Sequence, residues 1–121
     1  MNINDLKAAK PSIKLYYSEQ LADKKVIESI LYGAEEEGIP VEVVGSSERD
    51  FLNLAHKASM DSNLSTGIGV NDTMAAVHYG KLPIHSPVFQ VSVNAGEDAL
   101  RKVGSNGARL VKRLPLRISA D

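Results

Sequence analysis

Apolar and polar positions alternate first over Ser12–Tyr17, where Ile13, Leu15 and Tyr17 share one face and Lys14 and Tyr16 the other. That period of two predicts a strand. The period then changes. Val26, Ile27, Ile30, Leu31 and Ala34 recur at three- and four-residue steps, which predicts a helix, with Asp23 as its N-cap. Its end is marked three times over: Gly38 can adopt the left-handed conformation, Ile39 can fold back onto Ala34, and Pro40 forbids a further turn. Val41–Val44 follows as a short strand. Ser47 and Asp50, three apart, resemble a capping box that opens a second helix over Glu48–Met60, with Phe51, Leu52, Ala55 and Ala58 turned inward.

Thr66–Val70 reads as a strand buried on both faces, and Met74–Tyr79 as its partner across the Asn71-Asp72 turn. So short a connection requires that pair to be antiparallel. Gly80–Pro87 is a loop, Val88–Val93 a fifth strand, and a last helical stretch begins at Gly96. Gly104 is expected to interrupt it, with Ser105 or Asn106 capping a final helix through Arg113 before Pro115. The order β-α-β-α-β-β-β-α predicts a three-layer α/β/α fold: a five-stranded mixed sheet with helices on both faces. One domain over residues 12–118 accounts for the pattern. Met1–Pro11 reads as a polar, loosely held segment without the apolar stretch of a secretory signal.

Composition narrows the function. Among 121 residues there are 14 basic and 15 acidic side chains, so no net field draws in nucleic acid or an anionic membrane. The chain has no cysteine, which excludes disulfides, thiolate metal sites and cysteine nucleophiles. No apolar run approaches the ~20 residues of a membrane span. The pair Gly67-Ile68-Gly69 resembles the start of a dinucleotide loop, but Asp72 stands where the third glycine belongs, and a hairpin follows instead of a helix. No P-loop sequence occurs. His56, His78 and His85 lie on three different elements without acids at ligand spacing, and read as surface or half-buried imidazoles. No hydroxyl lies in a nucleophile elbow. Nothing here predicts a catalytic residue.

Charge is distributed unevenly. Nine acids and three bases lie between Glu19 and Asp50; six bases and no acid lie between Arg101 and Arg117. The basic end is either a binding patch or a complement to its own helix dipole and to the acidic region. Within the acidic region, Glu35-Glu36-Glu37 occupies the C-terminal turn of the first helix, where each carboxylate costs about 0.3–1 kcal/mol against the dipole. Helical phase separates the three. With Ile30 as origin and about 100° per residue, the apolar face centres near ~30°. Glu37 falls at about −20°, at the edge of the buried stripe; Glu35 at about 140°; Glu36 at about 240°, pointing away from the core. Lys25, Glu28, Ser29 and Tyr32 run along that outward side. Two readings fit: a solvated acidic helix end, or a carboxylate presented with an exposed tyrosine at a boundary with another chain. One carboxylate does not hold a divalent cation alone, so the second reading requires ligands from that chain.

Residues Leu31-Tyr32-Gly33-Ala34-Glu35-Glu36-Glu37-Gly38-Ile39-Pro40 resemble a helix end in the small subunit of the diol/glycerol dehydratase reactivating factor. Gly67-Ile68-Gly69, Val77-His78-Tyr79 before Leu82-Pro83, and Gly104-Ser105-Asn106 leading to Ala108–Lys112 and Leu114-Pro115 continue the likeness in the same order. It extends roughly from Ile13 to Leu116. The resemblance implies a sheet of order 2-1-3-4-5 with strand 4 antiparallel. It implies a non-catalytic subunit paired with a large ATPase subunit in an α2β2 assembly, serving adenosylcobalamin-dependent diol or glycerol dehydratase. Reactivation there proceeds by subunit exchange and release of damaged cobalamin, in the cytoplasm or a bacterial microcompartment. No cofactor is expected on this chain alone.

In that family a glutamate of the acidic triplet reaches a divalent ion, Mg²⁺ or Ca²⁺, at the boundary with the large subunit. Glu36 matches the middle position, with Tyr32, Glu28 and Glu35 as its interface neighbours. Two features depart from the pattern: the polar N-terminal extension, and Gly107, which is expected to loosen the last helix by about 1 kcal/mol relative to alanine. A different class of function also fits the pattern, a stand-alone small-ligand or nucleotide-binding domain using the strand ends near Gly67–Asn71.

Overall fold

The structure, a computed structural model, describes residues 11–118. The expectation for the N-terminal segment therefore falls, Pro11 apart, outside the described residues. Among these residues five strands and three helices follow in the order β1 (Ile13–Ser18), α1 (Lys25–Glu36), β2 (Val41–Ser46), α2 (Phe51–Asp61), β3 (Thr66–Val70), β4 (Met74–Tyr79), β5 (Phe89–Ser92) and α3 (Glu97–Lys112). The sheet runs β2-β1-β3-β4-β5. β1 is parallel to β2 and β3, and β4 is antiparallel to both β3 and β5. This is the mixed sheet that the hydrophobic pattern and the family resemblance predicted.

The glycine pair of β3 shows how the layers form. Alternation puts Gly67 and Gly69 on one face and Ile68 on the other. A Cβ on Gly67 would lie 2.2 Å from the Ser59 nitrogen, and one on Gly69 2.2 Å from the Ala55 nitrogen, both in α2. The missing side chains let α2 pack backbone-close against the sheet. On the opposite face Ile13, Leu15, Ile68 and Val77 meet Ile30 of α1 and Val103 of α3, all fully buried. Each such side chain contributes about 1.5–3 kcal/mol through burial.

Where α1 crosses α3 the two backbones touch. A Cβ on Gly104 would stand 1.8 Å from the Ile30 carbonyl oxygen, and one on Gly33 1.9 Å from that of Arg101. This corrects the expected interruption at Gly104: α3 runs unbroken through it, because the glycine serves a close helix approach. Ser105 and Asn106 accordingly lie inside the helix and cap nothing. Asn106 is fully buried; it accepts from the Arg117 main-chain N–H at 2.6 Å and donates to the Arg117 carbonyl at 3.1 Å, pinning the chain after α3 onto the helix. Gly107 faces Ile68 and Ile13 at 3.4 and 3.5 Å, ordinary contact distances for an added methyl.

Other local expectations shift by a few residues. Lys24, not Asp23, occupies the N-cap of α1 and makes no side-chain cap, while Asp23 accepts from the Lys25 N–H at 3.0 Å. α2 starts at Phe51, with Asp50 as N-cap accepting from Asn53 at 2.8 Å. Glu48 takes the main-chain N–H groups of Asp50 and Arg49 and the Asn53 amide, and these bonds hold its carboxyl below the usual range. Phe51 and Leu52 are only half-buried; Leu54 and Ser59 join Ala55 and Ala58 on the inner side of α2. The far end of α2 is tied to the sheet by Tyr16, whose hydroxyl donates to Asp61 at 2.6 Å. Burial, and then that carboxylate, push the phenol up to about 12.

Candidate functional site

The C-terminal turn of α1 collects the charged groups. Val26, Ile27, Ile30 and Ala34 fix the inner side of the helix by burial. Gly38 then turns left-handed (φ +78°), its N–H bonding Glu35 and that of Ile39 bonding Ala34. These bonds close the helix as its sequence predicts and set the rotation of the glutamates before it.

Glu37 points to α3. Its carboxylate accepts from Lys112 Nζ at 2.8 Å, Arg109 Nε at 2.9 Å and Ser105 Oγ at 3.0 Å. Lys112 also donates to the Glu37 carbonyl at 2.8 Å, an oxygen at the negative end of the helix dipole. The bonds from Lys112, then Arg109, outweigh the cost of burial and pull the carboxyl down to about 2. Part of the basic C-terminal region thus neutralises part of the acidic one, within the chain.

Glu35 and Glu36 are exposed and point elsewhere. With Tyr32 and Arg101 they line an open cleft of about 390 Å³. Tyr32 is 52% exposed, and the Arg101 guanidinium carbon lies 6.0 Å from its ring centroid. The cleft exists because Gly33 lets α1 lie directly against the Arg101 backbone, so side chains from two helices meet. Glu28 is exposed on the same helix but does not line the cleft. Ser29, expected on the outward side, is buried. The structure therefore brings Glu36, Glu35 and Tyr32 together and leaves Glu28 apart.

The carboxylates of Glu35 and Glu36 suit a hard divalent cation. Among the described residues no group of three or more metal-binding side chains assembles, so they fit only part of a ligand set. Arg101 escaped the sequence reading, as did the clasp of Ser105, Arg109 and Lys112 on Glu37. The available signals were the facing glycines Gly33 and Gly104, and the opposite charge of the two regions.

The remaining candidates converge on nothing. His78 is fully buried, contrary to the expected surface or half-buried placement; Nδ1 lies 3.1 Å from the Tyr79 carbonyl and Nε2 3.0 Å from that of Ile84. Its ring meets that of half-buried His56 edge-on at 5.0 Å, and His85 is exposed. At the strand ends Asn71 is occupied by structure: it donates to the Arg49 carbonyl at 2.9 Å and accepts from the N–H groups of Thr73 and Met74. A crevice of about 370 Å³ beside it is lined by Asp23, Asp72, Gln20 and Asn94 and, among the described residues, by no basic side chain that could meet a phosphate.

Against known proteins, a family model described as "Dehydratase medium subunit" matches residues 10–117. The propanediol dehydratase-reactivating factor small subunit of Citrobacter freundii is 36% identical over 107 residues, 88% of this chain and 90% of that protein. The diol dehydratase-reactivating factor small subunit of Klebsiella michiganensis is 38% identical over 88 residues, covering 73% of this chain and 70% of that one. Among solved structures, a glycerol dehydratase reactivase superposes with a TM-score of 0.85 at 30% identity, over 89% of this chain and 97% of the matched one. A diol dehydratase-reactivating factor complexed with ADP and Mg²⁺ gives 0.83 at 32% identity, over 91% and 100%.

Proposed function

The chain belongs to the dehydratase medium-subunit family and groups with the small subunits of dehydratase-reactivating factors; from that premise we propose that it is the non-catalytic exchange subunit of such a factor. Its partner is a large, chaperone-like subunit that binds and hydrolyses ATP, two copies of each forming the α2β2 assembly. The target is an adenosylcobalamin-dependent diol or glycerol dehydratase locked around a damaged cofactor, in the cytoplasm or a microcompartment. The small subunit leaves its partner for the dehydratase, the resulting complex cannot close over the cobalamin, and the damaged cofactor leaves. One observation carries this reading. A single fold bears the description of a dehydratase subunit and is shared with reactivating-factor subunits, which supports a reading in which one stands in the other's place.

The cleft face of α1 is the docking surface for the large subunit. Glu36 is the residue that would hold a Mg²⁺ or Ca²⁺ shared with that subunit; Tyr32 and Glu35 line the cleft beside it, and Glu28, exposed on the same helix, lies at the margin of the docking surface. Such a cation supplies the positive charge that lets two acidic surfaces meet. Affinity then depends on the metal and nucleotide state of the partner, which makes the junction reversible.

The test mixes the factor with inactivated dehydratase and ATP and follows this chain by native mass spectrometry. A dehydratase complex containing this chain is the expected product. Recovery of activity while this chain remains in its original complex would contradict exchange. Calorimetric binding of ATP, NAD or cobalamin by the chain alone would favour the ligand-binding alternative.

A further inference from the structure

Arg101 is the group in the cleft to which the shared cation assigns no role. Farther along α3, Arg109 and Lys112 are committed to Glu37. Arg101 is exposed and has neither a hydrogen bond nor an ion pair among the described residues, although Glu35 and Glu36 share its cleft. Its position is nonetheless set. Its carbonyl is pressed against Gly33, and the Tyr32 ring lies beside the guanidinium. The exposed guanidinium offers N–H donors whose forked geometry matches a carboxylate.

Resting on the reading that this face is the junction, we propose that Arg101, held beside Tyr32, receives a carboxylate side chain of the large subunit. The surroundings choose the anion. With two glutamates and one base lining the cleft among the described residues, one monoanion is accepted, while a polyphosphate or nucleic-acid backbone is repelled. The cleft is thus a two-sign receptor: a cation belongs at Glu36 and an anion at Arg101. A partner must therefore place a metal ligand at Glu36 and a second carboxylate at Arg101, in order, and this discriminates against surfaces that present only one of the two.

The test measures the affinity of the full chain for the large subunit, in Mg²⁺ and in EDTA. R101E should weaken the complex about 30-fold and R101A about tenfold, with R101K in between wild type and R101A. These losses should persist in EDTA, and the melting temperatures of the free chains should stay together. In R101K, a carbodiimide should join the introduced amine to a carboxylate of the large subunit, identified by peptide mass. Affinities of R101A and R101E within twofold of wild type, or no intermolecular cross-link at position 101, would overturn the proposal. The two readings separate cleanly. If E36A and EDTA leave affinity unchanged while R101E weakens it, the shared cation fails and Arg101 stands. If E36A weakens the complex and R101E does not, Arg101 fails and the cation stands.

Discussion

Glu36 and Glu37 are adjacent, chemically identical and equally misplaced at the negative end of a helix, yet the fold treats them oppositely. Glu37 is turned toward α3, where two cations and a hydroxyl hold it, and its side chain is only 15% exposed. Glu36, one residue back and about 100° around the helix, faces outward beside Glu35 with no cation bound to it among the described residues. The difference separates a charge that serves stability from one kept available. A repeated violation of helix-dipole preference need not have one cause; here one member is satisfied within the chain, and the proposed function gives Glu36 its partner outside it.

Both halves of that contrast depend on α1 and α3 touching, so the largest effect is expected from spoiling the contact. Gly104→Ala places a methyl 1.8 Å from the Ile30 carbonyl and should cost about 3 kcal/mol or more in urea unfolding, loosening clasp and cleft together. Next comes the contrast itself. Glu37→Ala should cost about 1–3 kcal/mol by leaving Arg109 and Lys112 without their carboxylate. Glu36→Ala should be neutral or stabilise the isolated chain by about 0.3–1 kcal/mol, since it removes a charge that opposes the dipole.

Acid sharpens the same point. The Glu37 carboxyl falls from its usual 4.5 to about 2 on folding. Its contribution is therefore complete above the unfolded value and is lost as pH drops from there toward about 2. Unfolding measured across that window should show a step in wild type that E37Q lacks and E36Q retains. The smallest effect is a gain. Gly107→Ala fills ordinary contact space within α3 and should raise stability by about 0.5–1 kcal/mol while leaving clasp and cleft intact.

The strands, the hairpin at Asn71-Asp72 and the Gly38 helix end were legible because each rests on local periodicity or turn chemistry. Gly104 was misread because a glycine that ends a helix and one that admits a neighbouring helix look alike along the chain; only Gly33 opposite it distinguishes them. Asn106 and His78 were misjudged for a related reason: their partners, the Arg117 main chain and the Ile84 carbonyl, come from segments with no periodic signal. In the site, phase alone placed Glu36 outward and Glu37 at the buried edge. Arg101 could not be found that way, because it belongs to a different helix and reaches the cleft only through the crossing.

The most direct measurement is the dissociation constant of this chain and the large subunit, taken with Mg²⁺ and with EDTA for wild type, E36A and E28A. The account predicts that chelation weakens wild type and E28A about tenfold, and that E36A is already weak and insensitive to it. Undiminished metal dependence in E36A, or equal losses in E36A and E28A, would contradict it.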